Sequence, residues 1–370
     1  MNSSSPNLKV AIVCDWLTGI GGAERVVLAM HKMYPDAPIY TSQYDPSKID
    51  WFKDADVRTL WVQKLPKSLR KFLVIFRAWS FSHLDLSEYD LVISSSGAEA
   101  KGVKTGPNTT HISYIHSPTQ YYWIRYNEYL KSPGFGVFDG LARLGLRLLV
   151  SPMKKWDHKA AQRADYLIAN SSYTRNNIKK FYGRDSTVIS PPVDTDRFKP
   201  SEKVNKHGFV IAGRQTPYKR VDLAVSACSE LNLDLKVIGN GPDHDRLVSI
   251  AGPTVTFLNN VSDSEIPKYF QESEAFIFPG IDDFGIVSVE ALAAGTPVIA
   301  YGVGGVNDYI NASNGVLFDE QSTESLSKAL KLFNPKKYDN LDISRSVSRF
   351  SLKNFCDNLG TYIDGKMVKR

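Results

Sequence analysis

The sequence predicts an α/β protein of two successive domains, each a parallel sheet covered by helices. Three observations carry this expectation. Short, wholly apolar runs rich in β-branched residues recur along the 370 residues, longer amphipathic segments separate them, and the pattern restarts after a proline-rich break near the middle. Runs that are apolar at every position are strands buried on both faces, which is the situation in parallel sheets.

The first such run is Val10-Ala11-Ile12-Val13, which leads through Cys14-Asp15-Trp16 into a helical pattern that starts near Ala23 and places Val26, Val27, Ala29 and Met30 on one face. Further strands are expected at Pro38–Thr41, Leu91–Ser94, Ile112–Ile115 and Tyr166–Ala169. After Thr187-Val188-Ile189-Ser190, three prolines between Pro191 and Pro200 stop regular structure and read as a linker. A second sheet is expected from Phe209–Ala212, Leu235–Ile238, Val255–Leu258, Ala275–Phe278 and Val298–Ala300. Ser262 and Glu265 have the spacing of a capping box. The domains are therefore placed at residues 1–198 and 199–350, and 351–370 is expected to form a helix that packs back on the first.

Composition narrows the class. Hydrophobic residues at 42% and charged residues at 23% are ample for two cores. No apolar stretch approaches a bilayer span and no signal segment opens the chain, so the expected location is cytoplasmic. Cys14, Cys228 and Cys356 are far apart and form no C-x-x-C pair, which indicates neither a disulfide framework nor a zinc site. The +6 net charge suits anionic ligands or an anionic membrane face better than dedicated nucleic-acid binding.

The densest chemistry lies between Phe278 and Ala300, where a strand, a glycine turn, a helix and the next strand carry two acidic positions eight residues apart, Asp282 and Glu290. Such a strand end puts open backbone N–H groups of Phe284, Gly285 and Ile286 where α/β folds bind anions. Glu290 lies one turn into the helix, as a carboxylate that can accept from a ribose diol, and Asp282 precedes it, placed for sugar hydroxyls. Helix-dipole compensation explains one of the pair Asp282 and Asp283 equally well, but it does not explain Glu290 among Ala and Val. Gly213-Arg214 and Lys219 follow the first strand of the second domain, a guanidinium and an ammonium able to converge on a diphosphate; a solvated basic face is the competing reading. Gly239-Asn240 is a second strand-to-glycine turn beside them. In the first domain, His116 ends a strand just ahead of Pro118, and Gly21-Gly22 open a helix. The third glycine of a dinucleotide fingerprint falls on Glu24, which argues against a dehydrogenase.

Taken in order, the Gly-Gly-Ala-Glu loop, the His-x-Pro element at His116, Gly213 to Lys219, the Gly-Asn-Gly-Pro turn and the acidic-x7-Glu cassette resemble retaining glycosyltransferase family 4. Asp15-Trp16-Leu17, Tyr89 to Ser96, Lys101-Gly102-Val103, Pro191 to Phe198 and Pro217 to Ala224 are similar to bacterial O-antigen and exopolysaccharide mannosyltransferases. The resemblance implies a GT-B fold, two Rossmann-like α/β/α domains facing a central cleft. It implies transfer of mannose from GDP-mannose, without metal or cofactor, to a glycan or polyprenyl-diphosphate-linked sugar. Carried over by position, His116, Arg214, Lys219 and Asp282 would be catalytic. Gly21, Gly22, Gly213, Gly239, Asn240, Val261, Asp283, Phe284, Gly285, Ile286 and Glu290 would complete the donor site, and Asp15, Gly22 and Tyr121 would meet the acceptor. Two departures stand out: Asp282 replaces the family's usual Glu, and Cys14 a frequent His. A UDP-sugar donor, a GT-B epimerase and a non-catalytic nucleotide-sugar binder remain as alternatives. The segment Trp61–Trp79 mixes bases (Lys64, Lys67, Arg70, Lys71) with aromatics, either as a peripheral contact with an anionic membrane or as ordinary amphipathic packing.

Overall fold

A computed structural model describes residues 8–66, 74–131, 133, 136–201 and 204–368. Lys67, Arg70 and Lys71 of the basic-aromatic segment lie outside the described residues. The chain forms two compact units: the described residues up to Pro191 together with those from Phe355 onward, and Pro192–Asn354.

In the first unit the order is β1 (Val10–Cys14), α1 (Gly22–Met33), β2 (Ile39–Thr41), β3 (Val57–Thr59), α2 (Val74–His83), β4 (Leu91–Ser96), β5 (Thr110–Ile115), α3 (Tyr126–Lys131), α4 (Asp139–Ala161), β6 (Tyr166–Ala169), α5 (Ser172–Tyr182) and β7 (Thr187–Val188). The seven strands form one parallel sheet in the order β3-β2-β1-β4-β5-β6-β7. β1, β4 and β5 are buried at every position, as strands covered on both faces must be. α5 shows how local sequence sets an end: Ser171 accepts from the Thr174 amide at 3.0 Å, and Gly183 leaves the helix in the left-handed region at φ 67.

The second unit runs β8 (Phe209–Ala212), α6 (Val221–Glu230), β9 (Leu235–Ile238), α7 (His244–Ser249), β10 (Val255–Leu258), α8 (Ile266–Gln271), β11 (Ala275–Phe278), α9 (Ile286–Ala293), β12 (Val298–Tyr301), β13 (Gly315–Phe318), α10 (Thr323–Leu332) and α11 (Asn340–Ser346). Its sheet is again parallel, in the order β10-β9-β8-β11-β12-β13. The alternation along β11 is explicit: Phe276 and Phe278 enter the core roofed by α8, α9 and α11, whereas Ala275 and Ile277 enter the core roofed by α6 and α10. Both units therefore have the Rossmann-like strand order.

The structure adds three strands to the sequence reading, β3, β7 and β13, and extends β4 to Ser96. β3 has three residues, none of them buried, so no apolar run announces it. The second unit begins at Pro192 rather than at residue 199, because Val193 and Phe198 are fully buried in its core and Phe198 stacks on Phe270 at 5.7 Å. The capping box at Ser262 is half made. Glu265 reaches back to the Ser262 amide at 3.0 Å, but the Ser262 hydroxyl donates to that same carboxylate instead of accepting from a helix amide. The tail forms α12 (Leu352–Met367), whose Phe355, Leu359 and Ile363, four apart, are buried, with Phe355 against Tyr114 at 6.0 Å within the first unit.

Candidate functional site

In the second unit the strand order reverses between β8 and β11, and in such sheets ligands bind at the carboxyl ends of the two strands that flank the reversal. β8 leads into Gly213, whose φ of 142 turns the chain sharply, and then into Arg214, which is exposed and has no side-chain partner among the described residues. A short 3-10 turn, Pro217–Lys219, brings the chain back toward β11. A Cβ added at Gly280 would come 2.9 Å from the Lys219 carbonyl oxygen, so the two strand-end loops meet backbone to backbone. The Lys219 ammonium forms an ion pair with the Asp282 carboxylate and lies over the Phe278 ring at 5.8 Å. Between these loops is a pocket of about 20 Å³ bordered by Gly213, Arg214, Lys219 and Phe278.

α9 starts without a capping side chain. Gly285 enters it at φ 87, and the Tyr309 hydroxyl holds the turn by donating to the Phe284 and Gly285 carbonyls at 2.8 and 3.1 Å. Among the described residues, no acceptor reaches the amides of Phe284, Gly285 or Ile286. Those amides and the positive end of the helix form a site for negative oxygen. Glu290 is 7% exposed, and its carboxylate accepts from Arg197 at 3.4 Å. Gly304 and Gly305 press their backbones against Asp282 and Asp283, and the Gly305 amide donates to the Asp282 carbonyl at 2.9 Å. Gly239 packs against the Gly213 backbone, Asn240 is exposed and accepts from the Gly241 amide at 2.6 Å, and Val261 packs on the edge of the core. Gly285→Ala combines a left-handed φ with a Cβ 2.8 Å from the Tyr309 hydroxyl. It is expected to cost about 1–3 kcal/mol, read as a lowered urea midpoint for the second unit.

In the first unit the sheet reverses between β1 and β4, and there Asp15 has a structural task. Its carboxylate accepts from the amides of Gly97, Ala98 and Ala100 at 2.7, 2.9 and 2.7 Å, which fastens the β4 exit to the end of β1. Burial, with Glu99 nearby, pushes its pKa up to about 6. Gly21 and Gly22 open α1, but the Glu24 carboxyl curls back over Gly21, where a Cβ would meet its oxygen at 2.8 Å. Burial pushes Glu24 up to about 7. Tyr121 donates to Glu99 at 2.7 Å, and Glu99 is held by Arg77 at 3.1 Å.

The His116 ring bonds the Ser95 hydroxyl through Nε2 at 2.7 Å, and its backbone carbonyl accepts from Asn170 at 2.8 Å. Burial pushes both His116 and the core His111 down to about 4, because the charged ring loses its water. With folded values below the unfolded 6.5, these two groups contribute stability that is lost as pH falls from about 6.5 through about 4. NMR of the ring nitrogens is expected to show both imidazoles neutral at pH 5; titration of either near the free-imidazole value would contradict this.

Two family models match the chain. "Glycosyltransferase Family 4" covers residues 20–197 and "Glycosyl transferases group 1" covers 192–342. The chain belongs to the GT-B glycosyltransferases of group 1/family 4. It is similar to the D-inositol 3-phosphate glycosyltransferases of Rhodococcus jostii, at 27% identity over 47% of this chain and 46% of the relative, and of Mycobacterium bovis, at 28% over 40% and 36%. The matches thus span half or less of those curated relatives. Among solved structures, sucrose-phosphate synthase from Thermosynechococcus elongatus superposes with a TM-score of 0.73 at 16% identity, over 98% of this chain and 99% of the other. The lipopolysaccharide outer core galactosyltransferase WaaB gives 0.68 at 19%, over 97% and 100%, and Anabaena HepE with UDP and glucose gives 0.67 at 18%, over 97% and 100%.

Within this GT-B member, the second unit brings together Gly213, Arg214, Lys219, Asp282 and the start of α9, with Glu290 further along that helix. His116, Asp15, Gly21, Gly22 and Tyr121 belong to the first unit. The sequence reading missed Arg197 as the partner of Glu290, Tyr309 as the clamp on the α9 turn, and Gly304-Gly305 as its support. The signal for the last was present in Gly302-Val303-Gly304-Gly305 after an apolar strand. The Arg197 and Tyr309 contacts join distant segments and carry no local pattern.

Proposed function

We propose that this protein is a retaining hexosyltransferase that takes a sugar from a nucleoside diphosphate donor bound by the second unit and passes it to a glycan or polyprenyl-diphosphate-linked acceptor bound by the first. The observation that carries the reading is the Lys219–Asp282 pair at the β8/β11 reversal, beside unpaired Arg214 and the open amides at the start of α9. In this reading Arg214, Lys219 and those amides bind the diphosphate. They stabilise the charge that develops when the bond from the sugar's anomeric carbon to the phosphate oxygen breaks with its electron pair on oxygen. The acceptor hydroxyl adds on the same face of the sugar, and its proton passes to the departing phosphate oxygen, so no side-chain base and no metal is required. Glu290, steadied by Arg197, accepts from the ribose hydroxyls. Asp282, released from Lys219 by the diphosphate, accepts from hydroxyls of the transferred sugar.

GDP-mannose is the first donor to test, on the resemblance to mannosyltransferases. UDP-glucose is the second, because HepE shares the fold and one of its structures holds that molecule. The test supplies each donor with lipid-linked glycans from bacterial membranes and follows nucleoside diphosphate release and the product's anomeric configuration. Release that needs acceptor, retention of configuration and indifference to EDTA are expected. Release without acceptor, or donor binding without turnover, would overturn transfer. Turnover of UDP-sugars alone would replace mannose.

A further inference from the structure

The turn that carries Lys219 is followed by a disfavoured backbone conformation. Among the described residues, only Arg220 and Asn232 combine a side chain with a positive φ, each at 52. Asparagine enters the left-handed region readily, whereas arginine does not, because its Cβ crowds the neighbouring carbonyl. Asn232 lies just past the end of α6, where such a residue is an ordinary cap. Arg220 stands instead between the Pro217–Lys219 turn and the start of α6, next in sequence to the cation assigned to the diphosphate. A residue persists in such a conformation only where its surroundings over-determine it.

The Arg220 side chain makes those ties. Its guanidinium takes the Asp222 carboxylate with two prongs, Nε to Oδ1 at 3.2 Å and Nη2 to Oδ2 at 3.3 Å. Nη1 turns the other way and donates to Gln321, to the backbone carbonyl at 3.5 Å and to the side-chain Oε1 at 3.4 Å. Gln321 lies between β13 and α10, just before Ser322, which caps α10 by accepting from the Ser325 amide. Its Nε2 donates to the Pro279 carbonyl at 2.9 Å. Gly280 comes next, and its backbone already abuts the Lys219 carbonyl. These contacts close a ring that runs from Lys219 through Arg220, Gln321, Pro279 and Gly280 back to Lys219. One carboxamide thus ties both loops of the β8/β11 reversal, its oxygen toward one and its N–H toward the other. A carboxylate lacks the donor for this and an ammonium lacks the acceptor.

We propose that Arg220 and Gln321 are positioning residues for Lys219: the ring they close fixes the turn so that the ammonium stands at Asp282 and, with donor bound, at the diphosphate. This deepens the transfer proposed above and rests on Lys219 as its diphosphate ligand. The Arg220 guanidinium is itself taken up by Asp222 and Gln321, so it acts through Lys219 rather than on the donor. Small displacements of a charge that must meet a reacting group carry large penalties, which gives such a ring its effect.

The experiment is calorimetric titration of the full chain with GDP and with UDP, in EDTA, with circular dichroism as the check on folding. The proteins are wild type, Gln321→Met, Gln321→Glu, Arg220→Ala and Arg220→Gly, each alone and combined with Lys219→Ala. Gln321→Met keeps the length of the side chain and loses both ties, and it is expected to weaken nucleoside diphosphate binding about three- to tenfold, the order of one lost hydrogen bond. Gln321→Glu is expected to weaken it at least as much, because its carboxylate meets the Pro279 carbonyl with no proton to share. Arg220→Gly is expected to weaken it less than Arg220→Ala, since glycine keeps the left-handed φ without steric cost. In the Lys219→Ala background these losses are expected to shrink toward none, a non-additivity that a merely structural effect does not produce. Wild-type affinity in Gln321→Met, the same fold-loss with and without Lys219→Ala, or weaker binding by Arg220→Gly than by Arg220→Ala would overturn the proposal. Failure of wild type to bind either nucleotide, or equal binding by wild type and Lys219→Ala, would overturn the donor reading and the proposal with it.

Discussion

Lys219→Ala is expected to lower kcat by about a hundred- to a thousandfold with the fold intact, the loss typical when one preorganised donor to a developing oxyanion is removed. Lys219 is 22% exposed and paired with an Asp282 that is 19% exposed, so its removal leaves a carboxylate that water can still reach. The structural cost is small and the chemical cost is large. Lys219→Arg is expected to restore part of the activity, because the charge returns with a different reach. Steady-state kinetics with circular dichroism separates these effects. A variant that keeps more than a tenth of wild-type kcat would remove Lys219 from the charge-stabilising role.

Lys101→Met is expected to destabilise the first unit by about 3–5 kcal/mol. Lys101 and Asp157 form an ion pair at 2.7 Å with side chains 1% and 0% exposed. Asp157 is saturated, accepting also from Thr119, Trp123 and Tyr182, each at 2.7 Å. The Lys101 ammonium also donates to the Ala98 carbonyl. Methionine fills similar space but strands a buried carboxylate and a carbonyl without their cation, and such a charge is costly where no water reaches it. Adding Asp157→Asn to Lys101→Met should recover part of the loss by removing that charge. Urea denaturation of the three proteins measures both effects. A Lys101→Met midpoint equal to wild type would show that the network contributes no net stability.

This network connects with Asp15. Lys101 holds the Ala98 carbonyl, and the amides of Gly97, Ala98 and Ala100 bind Asp15. The turn that leaves β4 is thus fixed from both sides. Asp15 and Lys101 were both visible in the sequence, the first as the residue that ends β1, the second within a motif of mannosyltransferase-like character. Neither partner could be seen, because Asp157 lies near the C-terminal end of a long helix and the Asp15 acceptor bonds go to backbone groups more than eighty residues away.

The strands were legible wherever burial on both faces produced an unbroken apolar run bounded by glycine or proline, as at Ala275–Phe278 and Phe209–Ala212. β3 escaped because a short edge strand needs no apolar residues, and its Arg58 instead bonds Asp56 and the Tyr40 hydroxyl. The Asp282–Glu290 cassette was legible because backbone geometry is written locally: Gly285 must adopt a positive φ, and the acids flank it. The exposed leucines of α4 were not, since Leu144–Val150 reads as an apolar stretch interrupted by Arg147, and only the folded helix shows which leucines face solvent.

Calorimetric titration of GDP and UDP into wild type and Lys219→Ala, in EDTA, tests the donor site most directly. Binding of at least one nucleoside diphosphate by wild type, and weaker binding in Lys219→Ala, is the expected result. Affinity that is absent in wild type, or equal in the two proteins, would contradict a diphosphate site built on Lys219, Arg214 and the start of α9.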